Sequence, residues 1–409
     1  MTAAVLCIGT EITRGEIANT NASWLADRLT QAGFEVTEIT SVDDDRDRIV
    51  NVLRTMAKQH EVVACTGGLG PTSDDLTSAC AAMAAGLPLV RDTASVEIIR
   101  DRFRRMNRTM VASNVKQADF PSGATILCNA VGTAPGFSMK LSGALLFFFP
   151  GVPREMHHLW ERHAEPIVRS MARDDVVQVR IHTFGEAESA VAQQLDDIEA
   201  KYPGITVGYR ASFPEIEVKL LARGTAKRPA QPLVDAAAQE VKSRLGALVY
   251  GEGTCTFVSV VAAAIRARGY RLALAESCTG GLLAHLLTSE SASDYLVAGF
   301  VTYANEAKER LLGVPAEMLE QHGAVSECVA KAMAEGAARA MGVELGVGIT
   351  GIAGPTGDTP DKPLGLVHYA VAHPGGVEAR HRVFPGDRPH VQRFAAYAAM
   401  QLIRSCCAP

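Results

Sequence analysis

Over the first 170 residues, short apolar runs alternate with amphipathic stretches. Val5–Ile8, Val36–Ile39, Glu61–Cys65 and Leu145–Phe149 are compact blocks of branched and aromatic residues, the pattern of strands buried on both faces. Between them, Asn21–Gln31 puts Trp24, Leu25 and Leu29 on one helical face and stops at Gly33; Arg46–Lys58 has the same period. This alternation predicts a three-layer α/β domain over residues 1–170, with a mainly parallel sheet.

Residues 175–250 read differently. Val176–Thr183 alternates as a strand, Glu186–Tyr202 reads as one helix, Ile205–Tyr209 and Glu215–Leu221 as antiparallel strands, and Leu233–Leu245 as a second helix. A small α+β module is expected, followed by a linker at Gly251–Thr254. Alternation resumes over 255–409: helix 257–267 ends at Gly269, strands 272–276, 297–303, 345–350 and 366–372 follow, and helices 326–341 and 388–405 flank them. The fold class is therefore α/β, two three-layer domains flanking a small α+β module.

Composition narrows the picture. The 409 residues exceed one ordinary core, and 47% apolar with 21% charged residues suits a folded globular chain. A net charge of −5 gives no basic footprint for nucleic acid and no polybasic tail for a membrane. The longest apolar run, Ala144–Phe149 before Pro150, is far short of a membrane span. The first residues lack a positive n-region and read as a strand, not a leader. Nine cysteines, with no C-x-x-C and no zinc-ligand spacing, point to reduced thiols and a cytoplasmic location.

Candidate chemistry falls in two places. Cys65–Asp75 follows a strand and precedes a helix. Gly67, Gly68 and Gly70 would let backbone approach a phosphate, Thr72 offers a hydroxyl, and Asp74 and Asp75 could bind a divalent metal. Glu11, just after the first strand, would converge on the same crevice. Asn114, Lys116 and Gln117 add a cation and amides. A glycine-rich turn with aspartate caps is the plainer alternative, and no Walker lysine follows.

The second place is Ala275–Gly281, a hydroxyl-rich turn between a strand and a helix whose N-terminal N–H groups could face an anion. Ser277 is a candidate nucleophile, with Cys278 its chemical rival, and Thr279 and Gly280 lie beside it. Lys308 is the candidate activator; its plainer reading is a solvated helix lysine paired with Glu306 or Glu309. Tyr303, a further catalytic candidate, could stack on a substrate ring; Thr350, also a catalytic candidate, opens a turn in which Gly351 would allow close approach of a substrate; and Arg388 suits a phosphate. His157 and Glu161 at helical spacing could form a metal pair, and Arg100–Arg108 is a basic cluster better read as a solvated face.

Ala275–Gly281, Val301–Lys308, Gly348–Pro355 and Phe384–Arg388, taken in order, resemble the C-terminal domain of the CinA (competence-damage-inducible) family. The amino-terminal motifs resemble that family's molybdopterin-binding-like domain, and 175–250 matches its KH-like region loosely. The resemblance implies a bifunctional pyridine-nucleotide salvage enzyme. Its C-terminal domain would hydrolyse nicotinamide mononucleotide to nicotinate mononucleotide and ammonia, with no cofactor. Its N-terminal domain would split ADP-ribose to AMP and ribose 5-phosphate with a divalent metal (Mg, Mn or Co). By motif, it implies metal ligation by Glu11, Asp74 and Asp75, and substrate contacts by Asn114, Lys116 and Gln117. It also implies the Ser277 and Lys308 roles, and a substrate role for Ser293. A homodimer is the expected assembly. The chain departs from the family at Ser113, Val152 and Ala304, none of which removes a charge. Two alternatives remain: a competence-linked nucleic-acid adaptor, weakened because 175–250 lacks the GXXG loop of KH domains, and a molybdopterin-binding protein.

Overall fold

The computed structural model describes residues 1–172, 175–225 and 227–408. The chain divides into two compact units, Met1–Gln178 with Ala222–Leu233, and Val179–Leu221 with Val234–Pro409. No helix among the described residues is long and apolar enough to cross a membrane.

The first unit is built on a six-stranded sheet. Its order is Glu35–Val42, Thr2–Ile8, Val62–Thr66, Ala144–Phe149, Gly136–Leu141, Thr125–Leu127. The first four strands are parallel and the last two antiparallel. The first strand shows why the apolar runs are continuous. Ala3, Val5 and Cys7 pack with Leu25, Leu29 and Trp160 on one face. Ala4, Leu6 and Ile8 pack with Ile49, Leu53 and Met56 on the other. Side chains alternate across a strand, so a sheet with helices on both faces needs apolar residues at every position. The parallel strands all end at one edge, after Ile8, Thr66 and Phe149, and the candidate residues gather there.

A four-stranded sheet carries the middle region, in the order Ile205–Ser212, Glu215–Gly224, Asp175–Phe184, Val249–Glu252. Two expectations change here. The segment 186–202 is not one helix but two short ones, Glu188–Gln193 and Ile198–Lys201. The break falls at Leu195–Asp197, where tight turns bury Leu195 and Ile198 while the Arg244 guanidinium takes the Asp197 carboxylate. The segment read as a linker begins in a strand: Val249–Glu252 pairs with Thr183–Ile181, and Tyr250 is buried.

A five-stranded sheet completes the second unit, ordered Leu296–Val301, Leu272–Glu276, Leu345–Gly351, Leu366–His373, Gly376–Val383. The first three strands run parallel and the rest antiparallel. Leu272 and Leu274 face one core while Ala273 and Ala275 face the other, under helix Glu327–Met341. Phe184 and Tyr250 pack on Phe257 at ring separations of 5.5 and 4.6 Å, so the middle sheet shares this unit's core.

Candidate active sites

Ser277 and Lys308 meet although 31 residues separate them. Strand Leu272–Glu276 ends at Ser277, whose N–H is held by the Ile349 carbonyl of the neighbouring strand at 3.0 Å. The adjacent parallel strand Leu296–Val301 ends level with it, Val301 opposite Glu276, and leads into helix Asn305–Leu312. Lys308 turns inward from that helix. It is fully buried, which excludes the solvated reading, and its Nζ lies 3.3 Å from Ser277 Oγ. Its other partners are the carbonyls of Thr302 at 2.9 Å and Tyr303 at 3.2 Å. Burial holds the Lys308 pKa below the ordinary lysine value. A neutral amine has two N–H donors and one lone pair, which matches two carbonyls and one serine hydroxyl.

The helix that follows, Leu282–Leu287, does not present its first N–H groups to a ligand. The fully buried Glu276 carboxylate accepts from Gly281, Leu283 and Ala284 N–H at 2.9–3.1 Å. The expected anion-binding helix end is thus occupied from within. Gly280 N–H is spent on the Ser277 carbonyl. Among the described residues no other residue accepts from the N–H groups of Cys278 and Thr279, and the Cys278 N–H lies beside its own sulfur. Two buried hydroxyls, Thr279 Oγ1 and Thr302 Oγ1, also lack a partner. Buried polar groups left this way are ordinarily satisfied by water or a ligand. Burial pushes the Cys278 thiol up to about 12, so it is not a ready thiolate.

Arg388 begins helix Arg388–Cys406 after the Asp387 cap. Its guanidinium donates to the Gly354 carbonyl at 2.8 Å and to the Tyr303 hydroxyl at 2.7 Å, tying three motifs together. Gln392, one turn on, donates to the Cys278 carbonyl at 2.8 Å. Thr350 is buried and its hydroxyl is spent on the Ala324 carbonyl, a positioning contact. Gly351 serves packing: a Cβ there would lie 2.7 Å from the Leu366 carbonyl oxygen. Ser293 is not brought to the pair within one chain. It precedes the strand whose Leu296 pairs with Leu272, the end of the sheet opposite Ser277.

In the first unit a cavity of about 460 Å³ opens at the carboxyl edge of the sheet. Glu11, Asp74, Asp75, Gly67, Gly68 and Gly70 all line it, and Gln117 does too. The glycines are required by the protein's own packing. A Cβ at Gly67 would lie 2.0 Å from the Ile8 carbonyl oxygen, and one at Gly70 would meet the Asp75 carboxylate at 2.5 Å. Asp75 accepts from the Thr72 N–H at 2.8 Å and from its hydroxyl. Lys116 donates to the Thr72 carbonyl at 2.6 Å, so it holds the loop that carries the aspartates. Asn114 is buried and caps its own turn, accepting from Val111 N–H at 3.1 Å, and is not on the cavity wall. His157 stacks on Trp24 at 4.0 Å, which accounts for it without a metal. The basic cluster pairs locally, Arg100 with Glu97 and Arg105 with Asp101, as a solvated face does.

The sequence reading missed Asp44 and Glu155, which also line the cavity. Glu155 is held by Asn129, and burial raises its pKa. The donor set is all oxygen, the chemistry of Mg²⁺ or Mn²⁺. No three of these carboxylates bring oxygens within 4.8 Å of one another. They therefore form no all-protein cage, but they fit an ion that keeps water and takes one or two carboxylates beside substrate phosphates.

Fold and sites together define an α/β protein with two separate side-chain constellations, a buried serine–lysine pair in one unit and a glycine–carboxylate cavity in the other. Three family models match in series: "Probable molybdopterin binding domain" over residues 4–170, "Damage-inducible protein CinA KH domain" over 178–251, and "CinA C-terminal domain" over 255–407. A CinA-like protein of Anaeromyxobacter dehalogenans is 44% identical over 413 residues, covering 99% of each chain. One from Geobacter sulfurreducens is 40% identical over 407 residues, covering 99% of this chain and 98% of its own. The chain belongs to the CinA family. Among solved structures, the protein CinA from Thermoplasma acidophilum is 32% identical, covers 41% of this chain and 97% of its own, and has a TM-score of 0.38.

Proposed function

We propose that the C-terminal domain is an amide hydrolase that converts nicotinamide mononucleotide to nicotinate mononucleotide and ammonia. The observation that carries this reading is the buried Lys308 amine 3.3 Å from Ser277 Oγ. Ser277 gives its proton to neutral Lys308 and attacks the carboxamide carbon. The developing oxyanion is met by the N–H groups of Cys278 and Thr279. Lys308 returns the proton to the departing nitrogen, ammonia leaves, and water hydrolyses the Ser277 ester. Arg388, steadied by Tyr303 and Gly354, takes the 5′-phosphate on its remaining donors. The test is ammonia release from nicotinamide mononucleotide by the whole protein. Release by the wild type and its loss in Ser277→Ala supports the reading; equal release by both overturns it.

The amino-terminal cavity supports a second activity, in which water cleaves the diphosphate link of ADP-ribose to give AMP and ribose 5-phosphate. Asp74, Asp75 and Glu11 would hold the divalent ion, which when bound supplies charge neutralisation at the diphosphate and an activated water. Lys116 keeps the aspartate loop in place through Thr72, and Gln117 offers its amide from the cavity wall.

A further inference from the structure

The Pro374–Gly375 turn and the end of the last helix bring together residues that neither proposed activity uses. His373 closes strand Leu366–His373, Glu378 lies on the partner strand Gly376–Val383, and Cys406 ends helix Arg388–Cys406. One ligand atom from each lies within 4.8 Å of the other two, and no other such group of three occurs among the described residues. We propose that His373, Glu378 and Cys406 form a zinc site, with water as fourth ligand.

The donor set argues for the metal. Imidazole, thiolate and carboxylate together suit Zn²⁺, whereas Mg²⁺ and Ca²⁺ want oxygen alone. Each ligand sits at the end of a strand or helix or within a strand, so little backbone freedom is lost on binding. Metal–ligand bonds of ~2.0–2.3 Å require the three atoms to close by a fraction of an ångström to about 1 Å, within reach of side-chain rotation. Two existing contacts would be exchanged: the Gly375 N–H donates to His373 Nδ1 at 3.2 Å, and Arg380 lies 3.9 Å from Glu378. Ligation needs the Cys406 thiolate, so binding releases a proton and strengthens as pH rises. The site pins the C-terminal end of the helix that presents Arg388 at its other end, ~27 Å away by helical rise.

The test uses the reduced full chain and Co²⁺ as the probe. Ligation by Cys406 gives a thiolate-to-cobalt charge-transfer band, which oxygen ligands in the other unit cannot produce. The band is expected in the wild type and in Cys128→Ser, to vanish on adding Zn²⁺, and to be absent in Cys406→Ser. His373→Ala, a change beside an exposed turn, should weaken cobalt affinity about tenfold or more and keeps the test decisive if Cys406→Ser misfolds. Zn²⁺ should raise the Tm of the wild type and not of His373→Ala. No band in the wild type, or an unchanged affinity in His373→Ala, overturns the proposal whatever the outcome of the ammonia assay.

Discussion

Replacing Lys308 with Gln probes the serine–lysine pair most directly. The lysine is fully buried, with Nζ 2.9 Å from one carbonyl, 3.2 Å from another and 3.3 Å from Ser277 Oγ. Glutamine keeps an NH₂ donor but ends one atom short and has no basic lone pair. Loss of a general base typically removes about 10²–10⁴ in rate. A loss of about 10³ corresponds to about 4 kcal/mol of barrier. One carbonyl left unpaired costs stability about 1–3 kcal/mol. The expected result is a kcat for ammonia release lowered about 10³-fold, with a folded protein whose Tm falls by several degrees. Ser277→Ala should lose as much, and the double variant should be scarcely worse, because the two act as one unit. Lys308→Arg should stay inactive, since a guanidinium cannot accept the proton. An active Lys308→Arg enzyme, or losses that multiply in the double variant, would falsify the pairing. The pH dependence has a definite sign. Burial lowers the folded pKa of Lys308, so kcat rises with pH through that lowered value. Between it and the unfolded value of about 10.4, the unfolded chain binds more protons and stability rises with pH. This contribution is complete above the unfolded value and is lost as pH falls through the folded one.

Other expectations follow from the same geometry. Asp74→Asn with Asp75→Asn should cut ADP-ribose hydrolysis at least about 100-fold while ammonia release is unchanged, and a chelator should do the same; normal phosphate-ester product from the variant would remove the metal assignment. Glu276→Ala strips three backbone N–H groups of a buried acceptor and should destabilise the protein by about 3 kcal/mol or more, read from a denaturant midpoint at constant slope. Cys278→Ala should retain most turnover, since the thiol is protonated; an inactive Cys278→Ala beside an active Ser277→Ala would move the nucleophile by one residue. A fragment starting at Gly253 should deamidate but be less stable by about 2–4 kcal/mol, because Phe257 loses Phe184 and Tyr250; a fragment as stable as the whole second unit would contradict the shared core.

Ser277 and Lys308 were both visible as candidates because each follows an apolar run at a strand-to-helix junction, and one parallel sheet brings such junctions to one edge. Glu276 was not, since a carboxylate capping a helix five to eight residues later obeys no local capping pattern. Glycines at 67 and 351 read as room for a ligand, yet a Cβ at either would meet backbone of a neighbouring strand, the Ile8 or the Leu366 carbonyl oxygen, a contact absent from local spacing. The single helix expected over 186–202 is interrupted at Leu195–Asp197, where turns bury Leu195 and Ile198 and Arg244, from a distant helix, holds the Asp197 carboxylate.

By itself the sequence determined the layered α/β character, since strands covered on both faces must be apolar throughout, as Ala3–Ile8 is. It also determined the chemical inventory of each site, because residue type sets what a side chain can donate, accept or ligate. Only the tertiary structure decided which members of that inventory meet. Burial makes Lys308 a candidate base and Cys278 an inert thiol, and burial belongs to the packed chain. His373, Glu378 and Cys406 carry no ligand spacing at all; a hairpin and a helix end place them together, because folding joins positions by distance in space.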